Sequence, residues 1–162
     1  MKVCSEKRYN FDKSRLDHLE SDIGITYEVF FPDKPKDRLP YDNGFCRFTP
    51  VGYLRTKGGW FPLGYKVVTT ELKSLGLRKN PTIMEFPVGE WIFETNKIQC
   101  GDKDWGGIWS ALRKGSIKTL KQHCQDTWDM ETRGFLVAIL NPVFANSYRI
   151  KSQGVMLLNE IA

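Results

Sequence analysis

A chain of 162 residues with 41% hydrophobic and 27% charged side chains has the composition of a folded domain, which excludes wholesale disorder. Its longest apolar runs, residues 135–140 and 155–158, fall far short of the ~20 residues a membrane-spanning helix needs, and the opening stretch MKVCSEKRYNFDKS has no apolar leader segment. The net charge of +5 is divided +2 and +3 on either side of Pro62, so no basic or acidic tail marks a partner, and a soluble cytoplasmic protein is expected.

In chain order, the first 24 residues are polar with one helical hint. Leu16, Leu19 and Ile23 recur at helical spacing behind the capping candidates Asp12 and Ser14, and Gly24 is a stop. Residues 25–31 (ITYEVFF) read as a strand of β-branched and aromatic side chains ended by Pro32. Three prolines and an Asn-Gly step make 32–44 a loop. Residues 45–49 and 51–55 are short strands, 56–59 a turn, and 63–70 (LGYKVVTT) a firmer strand. A short helix or turn at 71–75 precedes strands at 82–86 and 90–94 around the turn Pro87-Val88-Gly89. After a polar loop at 97–107 with the acidic pair Asp102 and Asp104, residues 108–112 form an apolar strand.

The strongest helical signal is residues 117–125, capped by Ser116. Ile117, Leu120 and Cys124 make its apolar stripe, and Lys114, Lys118 and Lys121 lie on another face. Three closing strands are expected at 134–140, 144–150 and 154–161, with joints at Asn141-Pro142 and 151–153. Seven to nine strands with two or three short helices give an α+β class on mostly antiparallel sheet, because nothing alternates with long crossover helices. The organisation expected is an N-terminal strand and loop extension, 1–62, and a main α+β domain, 63–162, together one compact unit.

The chemistry-bearing residues are sparse. Cys4, Cys46, Cys100 and Cys124 contain no close pair, and with His18 and His123 alone they form no ligand set with metal-binding spacing, so neither metal nor cofactor is expected. Reduced thiols suit a cytoplasmic chain, with two disulfides as the alternative. Ser74 and Ser110 lack the His and Asp partners of a nucleophilic triad.

From residue 64 onward one order of features stands out: Gly64-Tyr65-Lys66-Val67-Val68, then Leu72-Lys73-Ser74-Leu75, then Glu85-Phe86-Pro87-Val88-Gly89-Glu90-Trp91. Cys100 follows, then the step Gly106-Gly107-Ile108-Trp109, a basic helix, and a closing strand ending Glu160-Ile161. Over about 100 residues this resembles small prokaryotic and phage domains of unknown function often found beside pentapeptide repeats. The resemblance implies a reduced split-sheet fold of the ADP-ribosyltransferase type. It also implies a late-strand carboxylate, Glu160, as the catalytic candidate. Active transferases of that type carry a His or Arg on the first sheet strand, where this chain has Tyr65-Lys66, and the Ser-Thr-Ser element of the family is missing.

Two sites follow from the residues themselves. Trp105 and Trp109 flank two glycines and suit a stacking platform for a base, against the plainer reading of Trp109 as core. Arg113, Lys114, Lys118 and Lys121 suit a phosphate grip near a helix N-terminus, against a solvated helix face. Glu90, Glu94 and Glu160 lie on expected strands, facing outward unless the fold brings two of them together. The expected function is a binding module that recognises a nucleotide, single-stranded nucleic acid or a protein through this aromatic and basic surface. The alternative is an enzyme of ADP-ribosyl or nucleotide transfer, active or degenerate.

Overall fold

The structure, a computed structural model, describes residues 28–30, 52–56, 59–76, 83–94, 106–146 and 148–161. The chain order is β1 (Glu28–Phe30), β2 (Tyr53–Thr56), β3 (Gly59–Thr69), β4 (Trp91–Phe93), β5 (Ile108–Ala111), α1 (Lys114–Trp128), β6 (Thr132–Ala145) and β7 (Arg149–Ile161). All strand pairings are antiparallel. The class is therefore α+β on antiparallel sheet. The described residues hold one helix rather than two or three: residues 70–72 turn, Lys73 forms a bridge, and the helix expected near residue 16 lies outside the described residues.

Strand β3 is long because it serves two neighbours in succession. Its first residues pair with β2 in a hairpin register, Thr56↔Gly59 to Tyr53↔Pro62, and the rest pair with β6 from Leu63↔Ala138 to Thr69↔Thr132. Strand β6 pairs along its length with β7. Strand β5 then joins the other edge of β7, Ile108↔Ser152 to Ala111↔Arg149, and touches β3 again at Tyr65↔Ala111. The path β3–β6–β7–β5 thus returns to its start, and the sheet is wrapped round rather than flat.

The closing strands differ from expectation. Asn141-Pro142 is no joint: β6 runs through it, and β7 runs through 151–153, so two long strands replace three short ones. The proline is tolerated because the ladder is already broken there. Asn141 has φ +50°, and the register shifts between Pro142 and Phe144, so the missing N–H falls at a bulge. The amide of Asn141 donates to Gln153 Oε1 at 3.0 Å across that irregularity. β6 and β7 meet instead at Asn146, whose Oδ1 accepts from the backbone N–H of Tyr148 (3.0 Å) and Arg149 (2.9 Å). The strand expected at 82–86 is reduced to one bridge, Lys73↔Glu85.

Both faces of the sheet are buried. Alternate residues of β3 divide between them: Phe61, Leu63, Tyr65 and Val67 join the cluster with Leu136, Ala138, Leu140, Met156 and Ile117, while Val68 joins that of Val137, Ile139, Val155, Leu157 and Phe86. Helix α1 covers the first face through Ile117 and Leu120. It begins at Lys114, two residues before the expected Ser116 cap. The N-cap is Arg113 with no side-chain capping bond, and Asp129 in the left-handed conformation closes its end. Cys124 is buried and in no disulfide, with burial pushing its thiol pKa up; Cys4, Cys46 and Cys100 lie outside the described residues. Among the described residues no helix is long and apolar enough to cross a membrane.

Candidate functional site

A cavity of about 410 Å³ opens between β3, β5, the first turns of α1 and the segments at 74–76 and 84–86. Its lining is mostly apolar, from Val67, Leu75, Met84, Phe86, Ile108, Ile117 and Leu120. Set into this apolar wall are a few polar groups: Lys66, Arg149, Glu94, Ser74, Ser110, Ser116 and the phenols of Tyr65 and Tyr148. A concave apolar pocket of this size with few convergent polar groups is the usual form of a small-molecule site.

Trp109 is the hub. It lies on β5 opposite Lys151 of β7, and Arg149 is two residues along β7, so all three side chains project from the same face of the sheet. The Arg149 guanidinium lies over the indole at 4.2 Å from its centroid, and the Lys151 ammonium at 5.3 Å. Phe144 on β6 meets the indole edge-on at 5.9 Å. Lys151 is fully buried, and its aliphatic stem fills the space beside Gly107, where a Cβ would come within 2.7 Å of it. Gly107 has φ +142°, so both backbone conformation and space call for glycine there.

Lys66 on β3 reaches the Trp109 backbone on the neighbouring strand β5. Its Nζ donates to the Trp109 carbonyl at 2.6 Å and stands 5.1 Å from the centre of the Phe86 ring. No carboxylate lies within ion-pair distance of it among the described residues. Burial in this apolar surrounding pushes its pKa down to about 8. Arg149 has its Nε buried with no hydrogen-bond partner, and Ser110 Oγ is likewise buried and unpartnered. An ammonium with one acceptor, an orphaned guanidinium nitrogen and an orphaned hydroxyl are each costly to bury, so their gathering at one cavity calls for an explanation.

The sequence-derived candidates are only partly gathered here. Trp109 and the first turn of α1 line the cavity, the helix contributing Ser116, Ile117 and Leu120. Arg113, Lys114 and Lys118 are exposed and Lys121 half-buried, and none of the four lines it. Trp105 lies outside the described residues. Glu160 also stays apart. It accepts two bonds from Arg133, Nε to Oε2 at 3.0 Å and Nη2 to Oε1 at 2.8 Å, on an exposed part of the sheet. The Arg133 hydrogen bonds hold its carboxyl below the usual carboxylate range. Glu90 is exposed as expected, but Glu94 is 4% exposed and faces the cavity, because the chain turns in beside β7 there, with the Glu94 N–H bonded to Gln153 O at 2.7 Å.

Of the charges that line the cavity, Lys66 stands singly in an apolar strand and Arg149 opens the strand RIKSQGVMLLNEI. The signal available in sequence was a lysine within LGYKVV, where alternation places it inside a run that packs on both faces. No protein-family model, curated protein or solved structure matches this chain.

Proposed function

We propose that this chain is a binding module that holds a mononucleotide, or a closely similar anionic aromatic molecule, in the cavity beside Trp109. The observation that carries this reading is the Arg149–Trp109 stack in the lining of a cavity that Lys66 also lines, two cations with no carboxylate partner among the described residues. A phosphate or carboxylate supplies the missing counter-charge, and hydrogen bonds from ionised donors are about twice as strong as neutral ones. The indole and the apolar wall suit a planar ring, and a volume of about 410 Å³ accommodates one base and sugar with its phosphate.

The transfer reading asks for an available carboxylate at Glu160, whereas Arg133 holds that group outside the cavity, so binding is preferred. The split-sheet relationship suggested by the order of motifs stands as a proposal alongside it.

The test is titration with nucleoside monophosphates, their parent nucleosides and single-stranded oligonucleotides, followed by tryptophan fluorescence. The monophosphate is expected to quench the signal and to bind more tightly than the nucleoside. Arg149→Ala is expected to weaken it by roughly tenfold, the loss of one charge-assisted hydrogen bond. Equal binding of nucleoside and nucleotide, or a Trp109→Ala variant that binds normally, overturns the reading. Tighter binding of long oligonucleotides with a steep salt dependence instead moves the site to the exposed lysines of α1.

A further inference from the structure

The structure holds a second orphan beside Lys66, and together they suggest chemistry rather than recognition alone. Lys66 and Ser110 flank the cross-strand pair Tyr65↔Ala111 on neighbouring strands, and both line the cavity. Ser110 is 5% exposed, and its Oγ has no hydrogen-bond partner. Lys66 spends one hydrogen bond on the Trp109 carbonyl, stands beside the Phe86 ring, and lines the cavity. Among the described residues, the other titratable groups that line the cavity are Glu94, Arg149, Tyr65 and Tyr148.

We infer that Lys66 is a reactive amine that forms an imine with an aldehyde or ketone carrying an anionic group, with Arg149 receiving the anion and Ser110 hydrogen-bonded to the carbonyl-derived oxygen. This rests on the reading of the cavity as a ligand site and deepens it by naming a carbonyl in the ligand. Burial of the amine in an apolar wall is the standard means of making a lysine nucleophilic near neutral pH, and the depression to about 8 leaves a usable neutral fraction.

The step balances without any further reagent. The neutral Nζ lone pair attacks the carbonyl carbon, and the C–O π pair moves to oxygen. The proton lost from nitrogen passes to that oxygen, giving a carbinolamine whose hydroxyl sits by Ser110. The hydroxyl leaves as water as the nitrogen lone pair forms the C=N bond, with a second nitrogen proton completing the water. Nothing is oxidised or reduced.

The probe is pyridoxal 5′-phosphate, an anionic aromatic aldehyde, added to the intact chain at low concentration, trapped with cyanoborohydride and mapped by peptide mass spectrometry. The expected result is one adduct, on Lys66, formed about tenfold faster than on exposed lysines such as Lys114 and Lys118, because far more of its amine is neutral at working pH. Its rate is expected to rise with pH to a plateau beginning near 8, while surface lysines keep rising. Lys66→Arg, which keeps the charge, is expected to lose the adduct, and Ser110→Ala to slow its formation. Pyridoxine 5′-phosphate, which lacks the aldehyde, is titrated in parallel by tryptophan fluorescence. Binding of this analogue without selective Lys66 labelling overturns the imine and leaves the binding site standing. Failure of both overturns the two together.

Discussion

Replacing Lys66 by Met tests the energetic claim beneath the functional ones. A lysine whose pKa falls from 10.5 in the unfolded chain to about 8 in the native state opposes folding while it is charged. The sign follows from proton counts. Between those two values the unfolded state binds more protons than the native state, so native stability rises with pH across that window. Below it the full penalty is present, and above it the penalty is gone. At 1.36 kcal/mol per pKa unit the shift amounts to about 3 kcal/mol, and about 2.5 kcal/mol of that is relieved between about pH 7 and pH 10. Met has nearly the same length and no charge, so Lys66→Met removes the window. Near neutral pH the gain is partly offset by loss of the hydrogen bond from Lys66 to the Trp109 carbonyl, about 1 kcal/mol or more. The assay is urea unfolding of both proteins at the two pH values. The stability difference, variant minus wild type, is expected to fall by about 2–3 kcal/mol as pH rises, and other titrating groups cancel in that comparison. A difference that does not change with pH would show that the Lys66 ammonium is well solvated, and would remove the basis of both proposals.

Three further outcomes test the frame around the site. Gly64→Ala places a methyl 2.8 Å from the Ala111 carbonyl and 2.9 Å from Ile139 Cδ1, so β3 and β5 must separate, and thermal unfolding is expected to show a loss of about 2–3 kcal/mol; a neutral effect would mean the sheet closure at Tyr65↔Ala111 is loose. Ile117→Ala removes the 4%-exposed side chain that seats α1 on the sheet and is expected to cost about 3 kcal/mol in denaturant unfolding and to weaken nucleotide binding; unchanged stability would contradict the docking of the helix. Glu160→Gln breaks an exposed ion pair whose contribution is present above the ordinary carboxylate range and lost as pH falls through the depressed pKa, so only a small, salt-sensitive drop in melting temperature is expected at neutral pH; loss of nucleotide binding in this variant would relocate the site to the Arg133–Glu160 end of the sheet.

The α+β class, the strand at Ile108–Ala111 and the apolar stripe of α1 were legible in the sequence, since each depends on local periodicity that the core then rewards. The break read at Asn141-Pro142 was a local signal overridden by tertiary pairing. A bulge accommodates the proline, and β7 carries the ladder past it. Spacing in sequence made Trp109 and the lysines of α1 neighbours, but the helix turns those lysines toward solvent and gives the cavity its apolar side. The cations around Trp109 come from far along the chain: Lys66, 43 positions before it, bonds its backbone carbonyl, and Arg149, 40 after it, and Lys151 lie over its indole. Composition and alternation determined by themselves that this chain builds an α+β fold on mostly antiparallel sheet, and the structure showed that both faces of that sheet are buried. Only the wrapping of that sheet, through long-range pairings no local window contains, decided which cations meet Trp109 and that a cavity stands between them.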